Sequence, residues 1–322
     1  VAAQVDAFKS LVQTRYLDAY GLGFDQVLAH NDVLFPPEEA LSAIPGETGF
    51  GNLLADAYLY TLQQTEGDSY EPMTLAAVPL GVVRASLPLG DLTTADVFDV
   101  LPLGVGADGT MGYPLVSVYV TGREDLAEID ASVSAMMPYA KLYTAGLTYT
   151  YNPNRLVLDY VTDVKLRTED GLALPDNHKL YRVVTDLYSA QMFSAVKQQA
   201  HGLLKIVPKD AAGNEITDFT TAILHDSEGR EIKAWHCAAL YLQSFSQDAG
   251  GVSQIPAAYS EGDGRVILND EEGIGAMLSD PGPVTIAAMS VIVVILVLLA
   301  LITQIFVRRW NRNHEHDEID HL

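Results

Sequence analysis

GETGFGNLLADAYLYTLQQTEG, residues 46–67, is the stretch from which the fold is read. Phe50, Leu53, Leu54, Ala57, Tyr58 and Leu62 recur at three- and four-residue spacing. That spacing predicts a helix with one apolar stripe set against a core. Asn52 and Asp56 lie one turn apart on the same side of it.

Just downstream, TLAAVPLG (74–81) reads as a buried strand, and LTTADVFDVLP (92–102) as a short helix capped by Thr93 or Thr94. Between them, in VPLGVVRASLPLG (78–90), stands a single charge, Arg84. An arginine is rarely buried without a partner. Arg84 therefore either binds something or holds a turn together.

Upstream, Val5, Phe8, Val12 and Tyr16 predict a helix that ends near Gly21. QVLAHNDVLF (26–35) is a strand leading into a Pro-Pro turn. Further on, YPLVSVYVTG (113–122) is a strand and REDLAEIDASVSAMM (123–137) a helix. KLYTAGLTYTYNP (141–153) and the stretch around LVLDYVTDVKL (156–166) are strands. KLYRVVTDLYSAQMFSAVKQQA (179–200) runs from strand into helix. GLLKIVPKDAAGNEITDF (202–219) is a strand with a Gly-Asn turn, and EIKAWHCAALYLQSF (231–245) the last helix of the globular part. No internal repeat is visible. This order predicts an α+β fold, a mixed β-sheet with flanking helices.

A chain of 322 residues, 48% hydrophobic, is long enough for about two domains. Its 42 acidic against 19 basic residues give a net charge of -23, which disfavours nucleic acid and anionic membrane surfaces as partners. The single cysteine, Cys237, excludes an intramolecular disulfide and reads as an inert buried thiol. The first residues, VAAQVDAFKS, carry neither an initiator Met nor a signal peptide. The chain is therefore expected to be the trailing part of a longer protein.

VTIAAMSVIVVILVLLALITQIFV (284–307) carries no charge, and its polar residues are Thr285, Ser290, Thr303 and Gln304. As a helix it would span roughly 36 Å, enough for a hydrocarbon core of about 30 Å. DPGP (280–283) breaks the chain before it. RRWNR (308–312) follows it and marks the cytoplasmic side. The expectation is a single-pass plasma-membrane protein, its main body outside and its C-terminus inside, fitting a bacterial surface. The expected organisation is a linker helix (1–23), a globular domain (24–260), a Gly- and acid-rich spacer (261–283), the span (284–307) and a cytoplasmic tail (308–322).

No HExxH, GxSxG, P-loop or GxGxxG pattern occurs, and the histidines are scattered. Asp56, Asp91, Asp96 and Asp186 are candidate acids, for which caps or solvated faces are the default roles. Tyr188, Phe193, Tyr241 and Phe245 could stack on a base, but as helical residues they read first as packing.

Two motifs in this order carry a family resemblance. GETGFGNLLADAYLY resembles the pattern E-x-x-x-G-N-L-x-x-D-A. After it, the loop ending in Arg84 and LPLGDLTTADVFDVLPLG resemble N-G-G-x-I-R, then G-x-(I/L)-T-x-x-D-V and L-P-F-G. Over roughly residues 24–260 the chain thus resembles the C-terminal domain of the 5'-nucleotidase and UDP-sugar hydrolase family. More loosely, YRVVTDLYSA matches a strand into a substrate loop and GGVSQIPAAY a closing element.

The resemblance implies a domain that holds a nucleoside or sugar-nucleotide. It also implies, as partner, an N-terminal metallophosphoesterase domain on the same polypeptide, joined through the helix at residues 1–21. Two divalent metals would belong to that absent domain, with no cofactor in this chain. The fragment is then not expected to be catalytic alone.

The family's Asn falls here at Pro79 and its first glycine at Leu80, which leaves Gly81 and Arg84. Ile44 and Pro45 stand where an arginine often precedes the first motif, and Leu103 stands for the stacking Phe. LYSAQMFS (187–194) replaces F-L-A-x-G-G-D-G, with the Asp position near Phe193 and Leu187 or Tyr188 at the aromatic position. The resemblance implies Arg84, Tyr188 and Asp186 as substrate-binding candidates, and Glu47, Asn52 and Asp56 as structural members of the motif. The alternative is a spacer or partner-contact domain without ligand, in which Arg84 pairs with Glu47 or Asp56.

Overall fold

The structure is a computed structural model that describes residues 2–122, 141–156, 159–192, 206–279 and 281–319. The helix expected at 123–137, Phe193 and the first residues of the strand expected at 202–219 lie outside these residues.

α1 (Ala2–Arg15) continues into a 3-10 turn that stops at Gly21, where φ is +66°. β1 (Val27–Asn31) pairs antiparallel with β3 (Gly90–Thr93). α2 (Glu38–Leu41) leads to the motif helix α3 (Gly49–Glu66), capped by Thr48, whose side chain accepts from the Gly51 N–H at 3.0 Å. β2 (Leu75–Pro79) is buried at all five residues, as a central strand must be. α4 (Thr94–Val100) is capped by Thr93, in a capping box with Asp96.

A four-stranded sheet runs β4-β9-β2-β5, from β4 (Leu115–Thr121), β9 (Leu180–Asp186) and β5 (Leu142–Ala145). β9 and β2 are parallel; the outer pairs are antiparallel. One face packs on α3, α4 and α5 (Ala234–Gln243), and the other on a second cluster around Val118, Tyr149 and Val183. A second sheet runs β10-β6-β7-β8, from β6 (Leu147–Tyr151), β7 (Val161–Thr168), β8 (Gly171–Ala173) and β10 (Val266–Leu268). α6 (Ile274–Leu278) then leads into α7 (Pro283–Ile319). Mixed sheets with flanking helices are the expected class.

Three local expectations change. KLYTAGLTYTYNP is two strands in two sheets, broken at Gly146, where φ is +89°. A Cβ there would meet Leu75 and the Thr74 carbonyl at 2.9 Å, so only glycine turns this corner. Residues 261–283, expected as a spacer, add β10 in parallel to β6. Within this segment Asp263 accepts from Arg167 and Arg265 at 2.8 and 2.9 Å.

The third change is a recurring loop design at Asp210, Asp226 and Asp248. Each aspartate accepts the N–H groups two and four residues on, inside a hairpin closed by one bridge. A glycine with φ of +80° to +87° follows three residues after each. The strand expected around the Gly-Asn turn is, among the described residues, such a hairpin.

The 3-10 turn after α1 meets α5 through an aromatic cluster of Tyr16, Tyr20, Trp235 and His236. Trp235 is fully buried and donates through Nε1 to the Tyr16 hydroxyl at 2.7 Å. His236 lies edge-on to Tyr20 at 4.7 Å, and its Nε2 is enclosed with no hydrogen-bond partner among the described residues. Burial pulls its pKa down to about 4. The folded state then keeps His236 neutral while the unfolded chain protonates near pH 6.5, so stability falls as pH drops from about 6.5 to 4. The expected loss is up to about 3 kcal/mol, and denaturant titrations at pH 7.5 and 4.5 should show that slope largely flattened in His236→Phe.

Candidate functional site

The site is built from the ends of β2 and β9 and the hairpin before β4. After β2 a 3-10 turn (Leu80–Val82) delivers Arg84, whose N–H donates to Val100 O at 2.9 Å. This ties the loop to the end of α4. The Arg84 side chain is exposed, and Nη1 donates to Val83 O at 2.8 Å.

Among the described residues Arg84 forms no ion pair, which corrects the brace with Glu47 or Asp56. Both acids are engaged elsewhere. Glu47 accepts from Asn52 Nδ2 at 2.7 Å and from the Gly264 N–H at 2.8 Å. Asp56 accepts from Arg265 Nη2 at 2.7 Å and from the Tyr259 hydroxyl at 2.8 Å.

The first motif is thus a docking frame for residues 259–265. Asn52 is buried and also reaches Asp263 Oδ1 at 3.3 Å. Gly49 and Gly51 are required by close approach. A Cβ on Gly49 would lie 1.9 Å from Tyr259 O, and one on Gly51 would lie 2.0 Å from the Tyr143 ring.

Residues 103–113 form a hairpin in which the Tyr113 N–H donates to Leu103 O at 2.7 Å. Gly104, with φ +89°, lets the Tyr113 ring lie on its backbone; a Cβ there would meet the ring at 2.2 Å. The hairpin rests on a buried ion pair. Lys233 Nζ reaches Glu231 Oε2 at 2.7 Å and Asp108 Oδ1 at 2.9 Å, and Glu231 Oε1 accepts the Asp108 N–H at 2.8 Å.

Tyr188 stands on the helical turn at 187–192 that follows β9 and is 39% exposed. Its ring stacks on Tyr113, with centroids 5.6 Å apart and planes 25° apart. Leu187 turns inward instead, its N–H donating to Pro114 O at 2.9 Å. Of the two residues at the aromatic position, Tyr188 is therefore the one that faces solvent.

Asp186 ends β9 fully buried. It accepts the Ser189 N–H at 3.0 Å and the Ser189 hydroxyl at 2.5 Å, so it caps the turn carrying Tyr188. Burial raises its pKa. The Tyr113 hydroxyl is pushed up first by burial and then by Asp186 and Tyr188, while Arg84 opposes this. Arg84, about a hundred positions before Asp186 and Tyr188, thus shares their neighbourhood around Tyr113. Tyr113, missed in the sequence, joins it. No sequence pattern marks it; its backbone pair with Leu103 across the hairpin brings it to the site.

Among the described residues no group of three or more His, Cys, Asp or Glu side chains is placed to hold a metal ion. Burial pushes the Cys237 thiol up to about 12, which leaves it unreactive. On the outer face of the second sheet a cleft of about 480 Å³ is lined by Lys165 and Arg167, already paired with Asp163 and Asp263 at 2.8 Å.

Comparison with known proteins agrees with this layout. The chain is 25% identical over 147 residues to a 5'-nucleotidase-related protein of Glossina morsitans morsitans, covering 43% of this chain and 26% of that one. It is 25% identical over 162 residues to the trifunctional nucleotide phosphoesterase protein YfkN of Bacillus subtilis (strain 168), covering 48% of this chain and 10% of that one. The crystal structure of a 5'-nucleotidase precursor from Thermus thermophilus superposes with a TM-score of 0.54 at 23% identity, over 83% of this chain and 44% of that one. The chain therefore spans less than half of each of these proteins. The model of the family described as 5'-nucleotidase, C-terminal domain, matches residues 31–198, and with its motif helix, Arg84 loop and strand order in place the chain belongs to that family.

Proposed function

We propose that this chain is the substrate-binding domain and membrane anchor of a cell-surface, nucleotidase-like phosphoester hydrolase. Its metallophosphoesterase domain, with two divalent metals, would lie elsewhere on the same polypeptide. The convergence of Arg84, Tyr113 and Tyr188 carries this reading. An exposed guanidinium can donate to a phosphate or ribose oxygen. Two near-parallel tyrosines offer a base its faces, with Tyr113 supplying the ring that Leu103 lacks. The rings must part to admit a base, because a flat guest needs about 7 Å, twice a van der Waals contact. Tyr188, whose ring faces solvent, is the one with room to move aside, and Asp186 positions the turn that carries it.

The apolar helix Thr285–Arg309, which holds an 18-residue stretch of mean hydropathy 3.1, supports a single span. Arg308 and Arg309 at its end favour a cytoplasmic C-terminus and an outward-facing domain, as on a bacterial cell. A second reading, a ligand-free spacer, is favoured by Tyr113 and Tyr188 covering each other's faces and by Pro79 in place of an amide side chain.

Calorimetric titration of the full chain in detergent with AMP and with UDP-glucose separates the two. Saturable heat is expected, and Tyr188→Ala should weaken it roughly 5- to 150-fold. Arg84→Ala should weaken it about tenfold or more. Unchanged affinity in Arg84→Ala would remove that residue from the site, and no heat in the wild type leaves the spacer.

A further inference from the structure

The sequence suggests a slack stalk between the domain and the apolar helix, yet the loop after β6 grips that passage along its length. Tyr151 O accepts the Asn269 N–H at 2.8 Å. Asn154 Nδ2 donates to Asp270 O at 3.1 Å, and Asn152 Nδ2 to Glu271 O at 3.0 Å. Arg155 reaches past α6, with Nη1 donating to Ala276 O at 3.0 Å and to Ser279 O and Oγ at 2.5 and 2.8 Å. Its Nη2 meets Asp159 Oδ2 at 3.1 Å, and both side chains are almost wholly buried. Asp159 then turns to α7 itself. Oδ1 accepts the Gly282 N–H at 2.9 Å, and Oδ2 accepts the buried Thr285 hydroxyl at 2.8 Å.

We infer that residues 152–156 together with Asp159 form a clamp, centred on Arg155 and Asp159, that locks the first turn of α7 to the folded domain so that the two move as one body. The physical case lies in the choice of partners. A free stalk would leave its backbone carbonyls to water and swing. Here the loop's side chains take those carbonyls one after another, and a carboxylate satisfies donors at the start of α7, the end where negative charge is favoured. A buried arginine whose acceptors lie on Ala276, Ser279 and Asp159, among them the carboxylate that holds the helix, cannot release the helix without stranding its own charge. If α7 crosses a bilayer, as the proposed function holds, the binding face then keeps a fixed attitude to the membrane.

Pulsed electron–electron resonance on the full chain tests this, with spin labels at Glu169→Cys, an exposed position in the β7–β8 turn, and Val297→Cys on α7; buried Cys237 stays unlabelled. In both nanodiscs and detergent a single narrow distance distribution is expected. Asp159→Ala should broaden it at least twofold, and Thr285→Val by less. A broad distribution in the wild type overturns the clamp without any variant needing to fold. So does an unchanged width in an Asp159→Ala protein whose domain still melts cooperatively. The membrane reading is scored separately: a chain that fails to float with phosphatidylcholine vesicles sinks that reading, while the detergent distances still decide the clamp.

Discussion

Lys233→Met is expected to cost about 3–5 kcal/mol of folding stability, the range for breaking a buried ion pair from one side. Lys233 is fully buried, and Glu231 beside it is 3% exposed. Without the ammonium, Glu231 keeps one N–H donor, from Asp108, against a charge it cannot shed into water. For a domain of this size the melting temperature should fall by about 10 °C, read by circular dichroism at pH 7. The double variant Lys233→Met/Glu231→Leu should recover most of that loss, because an apolar pair of similar volume removes the stranded charge. A shift below about 1 °C in the single variant would show that the pair contributes nothing net. The consequence reaches the site. Gly106 passes so close to this pair that a Cβ would meet Glu231 Oε2 at 1.8 Å. Loosening the pair therefore loosens the hairpin that carries Tyr113, and nucleotide affinity should fall along with stability.

Arg265→Met should be the second large effect, at about 3 kcal/mol. Arg265 is 5% exposed and joins Asp56 on α3, Asp263 at 2.9 Å and Thr144 O on β5 at 3.0 Å. Its loss strands Asp56 and unfastens the strand that follows it, β10. Arg265→Lys restores the charge but not the planar fork, so it should rescue less than half. Urea midpoints check both variants. Equal midpoints for Arg265→Lys and wild type would show that charge alone, not geometry, holds this junction.

How much could be read beforehand follows from how local each signal is. The α3 stripe and the buried β2 are written in runs of a few residues and folded as read, and of the two caps offered for α4 the structure uses Thr93. Tyr188 and Arg84 were found through motifs, since no periodicity places them together. What stayed hidden depends on distant chain. Gly146 is a corner only because Leu75 lies against it. Asp56 looks like one more surface acid until Arg265 arrives, and residues 261–283 have a spacer's composition but a strand's partners. Tyr113 lies ten positions from Leu103, yet a backbone pair makes them neighbours.

The frame formed by Glu47, Asn52 and Asp56 also orders events in time. Its partners, Asp263, Gly264 and Arg265, lie up to 217 positions further along the chain. Closing so long a loop is entropically expensive and gives a high contact order, so this junction forms late and slowly. The three Asp-turn hairpins close over a few residues each and can form early. The motif helix is among the first parts of the domain to be synthesised but among the last to be secured, by a segment that precedes the apolar helix by about twenty residues. Completion of the fold and emergence of the apolar helix are thereby nearly simultaneous.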